Sequence, residues 1–226
     1  MDQIRLFVGK DPRETVGYHV FVESVLRRTD PNRISITALT GDQGDASTTF
    51  SKARFSIPEL CGYRGWAIWA DGSDMLCRAD IRELWDLRRN GYDLMVVPHD
   101  YRTKFDRKFL GQPNENYPRK NQSSLFLIDC GNAVWRRPEY KKMLEGAAGP
   151  LHRFEFLDDE RVGELPAEWN WLDLEFAHNP NAKLVHHTVG IPPFFPQSHY
   201  GAEWWNEYRA MIHYEHWDQT SLVSER

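Results

Sequence analysis

Two aspartates that follow an apolar run have the chemistry of a cation site. The run Trp66–Ala70 stops at Asp71, and Asp74 follows across a Gly-Ser pair. Hard divalent cations such as Mg²⁺ and Mn²⁺ prefer carboxylate oxygens, and substrate phosphates commonly complete their coordination. The alternative is structural, because aspartate is also a favoured N-cap of a following helix. These residues alone leave both interpretations open.

Two further polar groups follow segments that we interpret as strands. Three acidic residues, 158–160, come after residues 154–157, and the pair His186 and His187 comes after residues 182–185. Each group alone is more often a solvated turn or a surface histidine. A shared position at strand ends favours a common site, and a histidine with one or two carboxylates fits Mn²⁺ better than Zn²⁺.

The elements that must position these residues alternate between strands and helices. Strand patterns cover residues 4–9, 33–39, 66–70, 92–97, 121–130 and 182–185. Helical patterns cover residues 15–28, 50–60, 79–89 and 132–146 and begin again at Gly201. A strand, a helix and a strand within the first forty residues predict a parallel α/β sheet. Ligands of such sheets bind beyond the carboxyl ends of the strands, so the segment from Val8 to Asp11 is a candidate site.

Composition excludes several classes of protein. The 226 residues carry a net charge of −5 and no dense basic run, which disfavours nucleic-acid binding. No apolar stretch is long enough to span a membrane, and no signal-peptide pattern begins the chain. Three cysteines without a CxxC pair favour the reducing cytoplasm over a disulfide framework or structural zinc.

Nine tryptophans exceed what a core of this size requires and suggest stacking on sugars or bases. For stacking on an acceptor sugar, with core packing as the alternative, the candidates are Tyr117, Trp169 and Trp171.

Five segments, in their order and spacing, resemble a family of bacterial and phage glycosyltransferases with the GT-A fold. They read WADGSDMLCRADIREL, PHDY, YPRKNQSSLFL, LHRFEFLDDERVGELPAEWNWL and LVHHTVGIP. The likeness extends from about Ile4 to about Phe194, and the family is related to the glycogenin-like, retaining family 8 enzymes. It implies one α/β, Rossmann-like GT-A domain over residues 1–226, with a mixed, mostly parallel sheet flanked by helices. The nucleotide-binding half would cover about 1–100 and the acceptor and sugar half about 101–215, before a frayed tail.

The resemblance also implies a reaction and a cofactor. A sugar would pass from a nucleotide-sugar donor, most often a UDP-sugar, to a saccharide or other acceptor, with retention of configuration. Mn²⁺ or Mg²⁺ would be held by an acidic DxD motif, which falls on Asp71 and Asp74, and by a histidine, which falls on His186. This chain departs from the motif because two residues, not one, separate the acids.

Other family positions carry over residue by residue. The nucleotide would contact Val8, Gly9, Lys10, Asp11, Arg54 and Asp71. The donor-sugar loop would contain Asn121, Ser123 and Ser124. Asp158 and Asp159 resemble an acidic pair that faces the reacting carbon, where a carboxylate stabilises an oxocarbenium-like transition state. Pro192 and Pro193 occupy the region of an expected lysine, which leaves diphosphate neutralisation to the metal with Arg54 or Lys10. Gln122 replaces an expected tryptophan.

Two other functions remain open at this point. A nucleotide-sugar binding protein that has lost turnover is suggested by the altered spacing of Asp71 and Asp74. A metal-dependent phosphoesterase could use the same two acids with His186. That chemistry commonly needs two metals about 3.5–4 Å apart, and the sequence clusters too few histidines and aspartates to hold them.

Overall fold

The computed structural model describes residues 3–41, 50–108 and 111–212 of the chain. Its strands are β1 (Ile4–Gly9), β2 (Ile34–Leu39), β3 (Trp66–Ala70), β4 (Met75–Cys77), β5 (Leu94–Val96), β6 (Arg107–Lys108), β7 (Gln112–Pro113), β8 (Leu125–Asp129), β9 (Val162–Glu164), β10 (Trp171–Leu172) and β11 (Leu184–His186). Its α-helices are α1 (Thr15–Leu26), α2 (Ile57–Leu60), α3 (Ile81–Trp85), α4 (Pro138–Glu145), α5 (Ala148–His152) and α6 (Gly201–Ile212). The predicted loop at 41–49 and the predicted frayed tail from Trp217 lie largely or wholly outside the described residues.

The central sheet has the strand order β2-β1-β3-β8-β5-β9. Strand β8 runs antiparallel to β3 and β5, and the other neighbours pair in parallel. Inner strands of such sheets read as continuous apolar runs because helices cover both faces. In β3, Ile68 packs into one core and Trp69 into the core on the opposite face. The predicted mixed, mostly parallel α/β sheet is confirmed.

A smaller sheet with the order β10-β11-β4 adjoins the central one. Its core brings Leu76 and Val185 against Val20 of α1 and Trp204 of α6. Ion pairs from Arg27 and Arg28 to the buried Glu207 add to the contact between α1 and α6. In this sheet β11 pairs antiparallel with β4. The pairing places His186, at the end of β11, beside Asp74, which directly precedes β4.

Several predicted elements are shorter than the patterns indicated. The helix predicted over 50–60 is a 3₁₀ turn, Ala53–Ser56, followed by α2, and the helix predicted over 79–89 is only α3. The predicted strand 121–130 starts at Leu125, because Asn121 has a left-handed φ of 62°.

The strand predicted over residues 154–157 is wrong. Phe154 has a left-handed φ of 55°, and its N–H donates to the carbonyl of Leu151 within a turn. The acidic residues that follow therefore precede a strand, β9, instead of ending one.

None of the helices within 3–41, 50–108 and 111–212 is both long and apolar enough to cross a lipid bilayer.

Candidate active site

A cavity of about 250 Å³ opens beyond the carboxyl ends of β1 and β3, where the topology of the sheet predicts a ligand site. Of the residues singled out in the sequence, those that line it are Arg54, Asp71, Asp74, Tyr117, Asn121, Ser123, Ser124 and His186. These residues come from four separate segments of the chain. The cavity therefore brings together the two acids, the histidine and the candidate donor-sugar loop.

Asp74 and His186 meet across the small sheet. The Nε2 atom of His186 lies 3.2 Å from Oδ2 of Asp74, and its Nδ1 atom lies 3.2 Å from Oδ1 of the buried Asn170. Burial alone would raise the pKa of Asp74, but the charge and hydrogen bond of His186 outweigh it, and the pKa lies below its usual value. The other oxygen, Oδ1, is buried and has no hydrogen-bond partner among the residues that the structure describes. A buried carboxylate oxygen without a partner calls for an unseen ligand.

Asp71 has a different partner. Its Oδ1 atom lies 2.7 Å from Nη1 of Arg54 and accepts a hydrogen bond from Trp69 Nε1 at 3.0 Å. Burial raises the pKa of Asp71 to about 6, against the opposing charge of Arg54, and Asp74 raises it further. Arg54 is 3% exposed, donates to the carbonyl of Ser123 at 2.5 Å and lies 4.9 Å from the Trp69 ring centroid. Asp71 is thus held by an internal cation.

The turn between the two aspartates is fixed by its neighbours. Gly72 has a φ of 71°, and a Cβ at this position would lie 2.1 Å from Cγ1 of Val8. The hydroxyl of Ser73 donates to the carbonyl of Gly9 at 3.2 Å and accepts from the N–H of Asp11 at 3.3 Å. Only glycine fits at 72, since the left-handed conformation and the contact with β1 both exclude a side chain.

The predicted nucleotide segment supports the cavity without lining it. Val8 is buried in the core, and Lys10 lies 5.3 Å from the ring centroid of Tyr18. Asp11 is fully buried, caps the 3₁₀ turn Pro12–Glu14 and pairs with Arg13 at 2.7 Å. Arg13 and Glu14, which follow it, are the residues of this loop that line the cavity.

Glu14 is a site residue that sequence reasoning missed. It is 6% exposed, and in the described part of the chain its Oε1 atom has no hydrogen-bond partner. Burial raises the pKa of its carboxyl to about 8, and the charges of Asp74 and Asp11 add to that effect while Arg13 opposes it. Its place in the loop after β1 was a usable signal, because ligands of α/β sheets bind at such loops.

His152 is a second missed residue. It lies at the end of α5, and its ring nitrogens lie 2.7 Å from Oγ of Ser51 and 2.8 Å from Oγ of Ser123. Burial, with the nearby charge of Arg54, lowers the pKa of His152 to about 3. A neutral imidazole therefore fixes two hydroxyls at the cavity wall. The sequence around it contains no motif that would have identified it.

The long polar segment between β5 and β8 contributes cations. Lys108 and Lys120 line the cavity together with Arg13 and Arg54. The Nζ atom of Lys120 donates to Oδ1 of Asn114 at 2.6 Å and to the carbonyl of Glu115 at 2.7 Å. Cations from several elements make the cavity suitable for an anionic group such as a diphosphate.

Asp158 and Asp159 do not reach the cavity. They precede β9, which runs parallel to β5, so they lie at the edge of the sheet opposite the carboxyl ends. Asp158 is exposed, and the side chain of Asp159 is 85% exposed and pairs with Arg119. Their catalytic role was inferred from the order of motifs along the sequence. That order does not reveal the turn at Phe154, which carries this segment away from the cavity.

The remaining candidates are divided between core and surface. Trp169 is buried in the core, and Trp171 packs against Phe176 at a centroid distance of 5.2 Å. Tyr117 is 44% exposed and lines the cavity. His187 is buried away from His186, with its Nδ1 atom 3.0 Å from Oδ2 of Asp173.

The residues present fit a hard divalent cation in part. Among the described residues, no group of three His, Cys, Asp or Glu side chains is already arranged to hold a metal ion. Asp74 and His186 nevertheless offer a carboxylate oxygen without a partner beside an imidazole nitrogen. Mg²⁺ and similar cations commonly use one or two carboxylates and take their other ligands from phosphate and water.

We expect Glu14→Gln to be more stable than the wild type near pH 8 and about equally stable near pH 4. Because the pKa of Glu14 is raised to about 8 in the folded state, the folded protein keeps a proton that the unfolded chain releases, and stability falls as pH rises from about 4.5 to about 8. Glutamine removes this loss, which amounts to at most about 4 kcal/mol. Urea unfolding with a chelator at both pH values measures it. Substitution of the exposed Glu59 by glutamine is the control, and equal stabilities of wild type and Glu14→Gln near pH 8 would contradict the assignment.

No family model matches the chain. Protein CDI of Arabidopsis thaliana is 38% identical to it over 209 residues, which are 84% of this chain and 79% of that protein. Among solved structures, the bifunctional glycosyltransferase WbbM matches with a TM-score of 0.66 at 13% identity over 92% of this chain. The galactosyltransferase LgtC, solved with donor and acceptor sugar analogues, matches with a TM-score of 0.60 at 12% identity, covering 93% of this chain and 97% of that one. This chain spans 50% of the WbbM chain. These structural likenesses confirm the GT-A fold.

Proposed function

The chain belongs to the same family as Protein CDI of Arabidopsis thaliana, and from this premise, its GT-A fold and its cavity we propose that it is a glycosyltransferase. Its donor is a nucleotide sugar, most simply a UDP-sugar, and its acceptor is a saccharide or glycoconjugate. One observation carries the proposal: Asp74, with one oxygen unpartnered, contacts His186 inside a cavity that also contains four cationic side chains. The one domain of about 226 residues supplies both substrate sites.

Different residues of the cavity would bind the metal ion and the diphosphate of the donor. Asp74 and His186 would hold Mn²⁺ or Mg²⁺, which when bound supplies Lewis-acid stabilisation of the departing diphosphate. Arg13, Lys108 and Lys120 neutralise further negative charge on that group as the sugar leaves. Arg54 keeps Asp71 ionised and fixes the turn that precedes Asp74.

The reacting carbon needs a carboxylate nearby, because it becomes oxocarbenium-like as the bond to the diphosphate breaks. Since Asp158 and Asp159 lie outside the cavity, this role falls to Asp71, which Arg54 keeps ionised, and not to Glu14, whose raised pKa of about 8 leaves it protonated near pH 7. Retention of configuration, as in the glycogenin-like family 8 enzymes, is part of the proposal and is supported by the resemblance of the sequence motifs.

A second candidate is a nucleotide-sugar binding protein without turnover. The observation that favours it is the ion pair of Asp71 with Arg54, which neutralises the charge of one of the two acids, so that a metal would be held by Asp74 and His186 alone. Such a protein would bind the donor through Asp74, His186 and the cavity's cations and would not cleave it.

Calorimetry with Mn²⁺ and a panel of nucleoside diphosphates and nucleotide sugars tests the proposal. We expect UDP to bind with Mn²⁺ present and to bind at least about tenfold more weakly after chelation. Release of UDP from a bound UDP-sugar separates the enzyme from the binding protein. If no nucleoside diphosphate binds with any divalent metal, both candidates are wrong.

A further inference from the structure

A second cavity, of about 360 Å³, lies beside the active site. Its apolar lining comes mainly from the start of α1, the segment after β11 and helix α6, and includes Val16, Ile191, Phe194, Trp204, Trp205 and Tyr208. Phe194 is 56% exposed and Trp205 is 37% exposed. We call this cavity the aromatic groove.

The aromatic side chains of the groove hold one another in place. Trp204 stacks on Tyr208 with ring centroids 5.8 Å apart and an angle of 6° between the planes, and Trp205 meets Tyr208 edge to face at 5.4 Å. Trp204 is fully buried, which anchors the set to the core of the small sheet. Rigid, partly exposed aromatic rings suit the apolar faces of a sugar ring, since little conformational entropy is lost on contact.

Two buried polar atoms in the lining have no hydrogen-bond partner within residues 3–41, 50–108 and 111–212. They are the indole N–H of Trp204, a donor, and Oε1 of Glu14, an acceptor. Buried polar groups are nearly always satisfied, so each requires an explanation. A hydroxyl group both donates and accepts, and a ligand with several hydroxyls satisfies both atoms.

The aromatic groove adjoins the active-site cavity. Arg13 and Glu14 line both of them. A ligand in the groove would therefore approach the cavity at Glu14, the acid that lines both spaces. This arrangement is what a two-substrate transferase needs, because the acceptor must reach the sugar of the bound donor.

We propose that the aromatic groove binds the acceptor as a neutral saccharide, with its ring against Trp205 and Phe194 and a hydroxyl directed at Glu14. The inference rests on the proposed glycosyltransferase function. The apolar lining, with Arg13 as the single cation among its described residues, favours an uncharged sugar over an anionic one. An oxygen of the Glu14 carboxyl accepts a hydrogen bond from the acceptor hydroxyl that receives the sugar. As the new glycosidic bond forms and the bond to the diphosphate breaks, the proton of that hydroxyl passes to the departing diphosphate.

The test is a measurement of acceptor KM for wild type, Trp205→Ala and Phe194→Ala. The acceptors are methyl and p-nitrophenyl glycosides of common hexoses and pentoses and their disaccharides. We expect each variant to raise the acceptor KM by about tenfold or more, while calorimetry shows UDP still binding with Mn²⁺. Ile212→Ala is the matched control, because Ile212 is exposed at the end of the same helix and does not line the groove.

Failure of this inference and failure of the proposed function give different results. If UDP binds and donor is consumed but neither variant changes the acceptor KM, the groove assignment is wrong and the transferase stands. If no donor binds, saturation-transfer NMR with the same glycosides decides: a signal that disappears in Trp205→Ala supports a saccharide groove, and no signal in the wild type rejects it. Self-association at high concentration that Trp205→Ala abolishes would assign the groove to a second copy of the chain instead.

Discussion

Replacement of Asp74 by alanine is expected to abolish metal-dependent binding of UDP and to lower turnover by at least about 100-fold. Asp74 offers a buried carboxylate oxygen that has no hydrogen-bond partner among the described residues, and a Lewis acid at a departing diphosphate contributes several kcal/mol to the transition state. The variant should remain folded. The negative charge of Asp74 raises the pKa values of Glu14 and Asp71 by electrostatic repulsion, and its removal relieves that repulsion. Calorimetry with UDP and Mn²⁺ gives the affinity.

Two further variants make this result specific. Asp74→Asn keeps the shape of the side chain and removes its charge, so it should lose nearly as much affinity as alanine. Asp86→Ala removes an exposed carboxylate elsewhere, whose side chain is 57% exposed, and should leave UDP binding unchanged. Full affinity in Asp74→Ala would show that the metal, if one binds, is held by other residues.

Replacement of Arg54 by methionine is expected to lower the free energy of unfolding near pH 7 by about 3–5 kcal/mol. Removal of one member of a buried ion pair leaves the other charge uncompensated, which costs more than the pair contributes. Arg54 is almost fully buried, and Asp71 would lose its only cation within hydrogen-bond distance among the described residues. Methionine also removes the packing of the guanidinium against the rings of Phe50 and Trp69. Urea unfolding monitored by circular dichroism measures the change.

The double variant Arg54→Met/Asp71→Asn tests the cause. It removes both charges, so it should recover most of the lost stability if the isolated charge of Asp71 is responsible. Arg82→Met removes one member of an exposed pair with Asp86 and should change stability by less than about 1 kcal/mol. A loss in Arg54→Met no larger than that of Arg82→Met would refute the buried-pair interpretation.

The fold could be predicted from the sequence because its inner strands are continuous apolar runs. The segments Trp66–Ala70 and Leu125–Asp129 can be buried on both faces only between helices. The meeting of Asp74 with His186, 112 residues apart, was also foreseeable, since both were expected at strand ends. Position within a sheet, not local composition, made these residues predictable.

What escaped prediction depended on tertiary burial or on backbone conformation. Glu14 and His152 are single polar residues in short helical segments. Burial in the folded protein is the main cause of their perturbed pKa values, and charges far away in the chain, such as Asp74 for Glu14 and Arg54 for His152, add to it. Residues 154–157 alternate as a strand would, but three of them, Phe154, Phe156 and Leu157, pack around the core beside Phe126 as a turn. A pattern of alternating apolar residues cannot distinguish these outcomes.

The extra residue between Asp71 and Asp74 belongs to the architecture of the protein as much as to its chemistry. Ser73 is 1% exposed, and its hydroxyl accepts a hydrogen bond from the N–H of Asp11 in the loop after β1. Its carbonyl oxygen packs so closely against Gly17 of α1 that a Cβ on that glycine would lie only 1.9 Å from it. The two residues between the acids thus fill the space between β3 and α1. Shortening this interval to the ordinary motif would leave a void at this junction and detach three elements from one another. For this chain, a search based on motif spacing would overlook the site, whereas one based on the place of the turn in the sheet would find it.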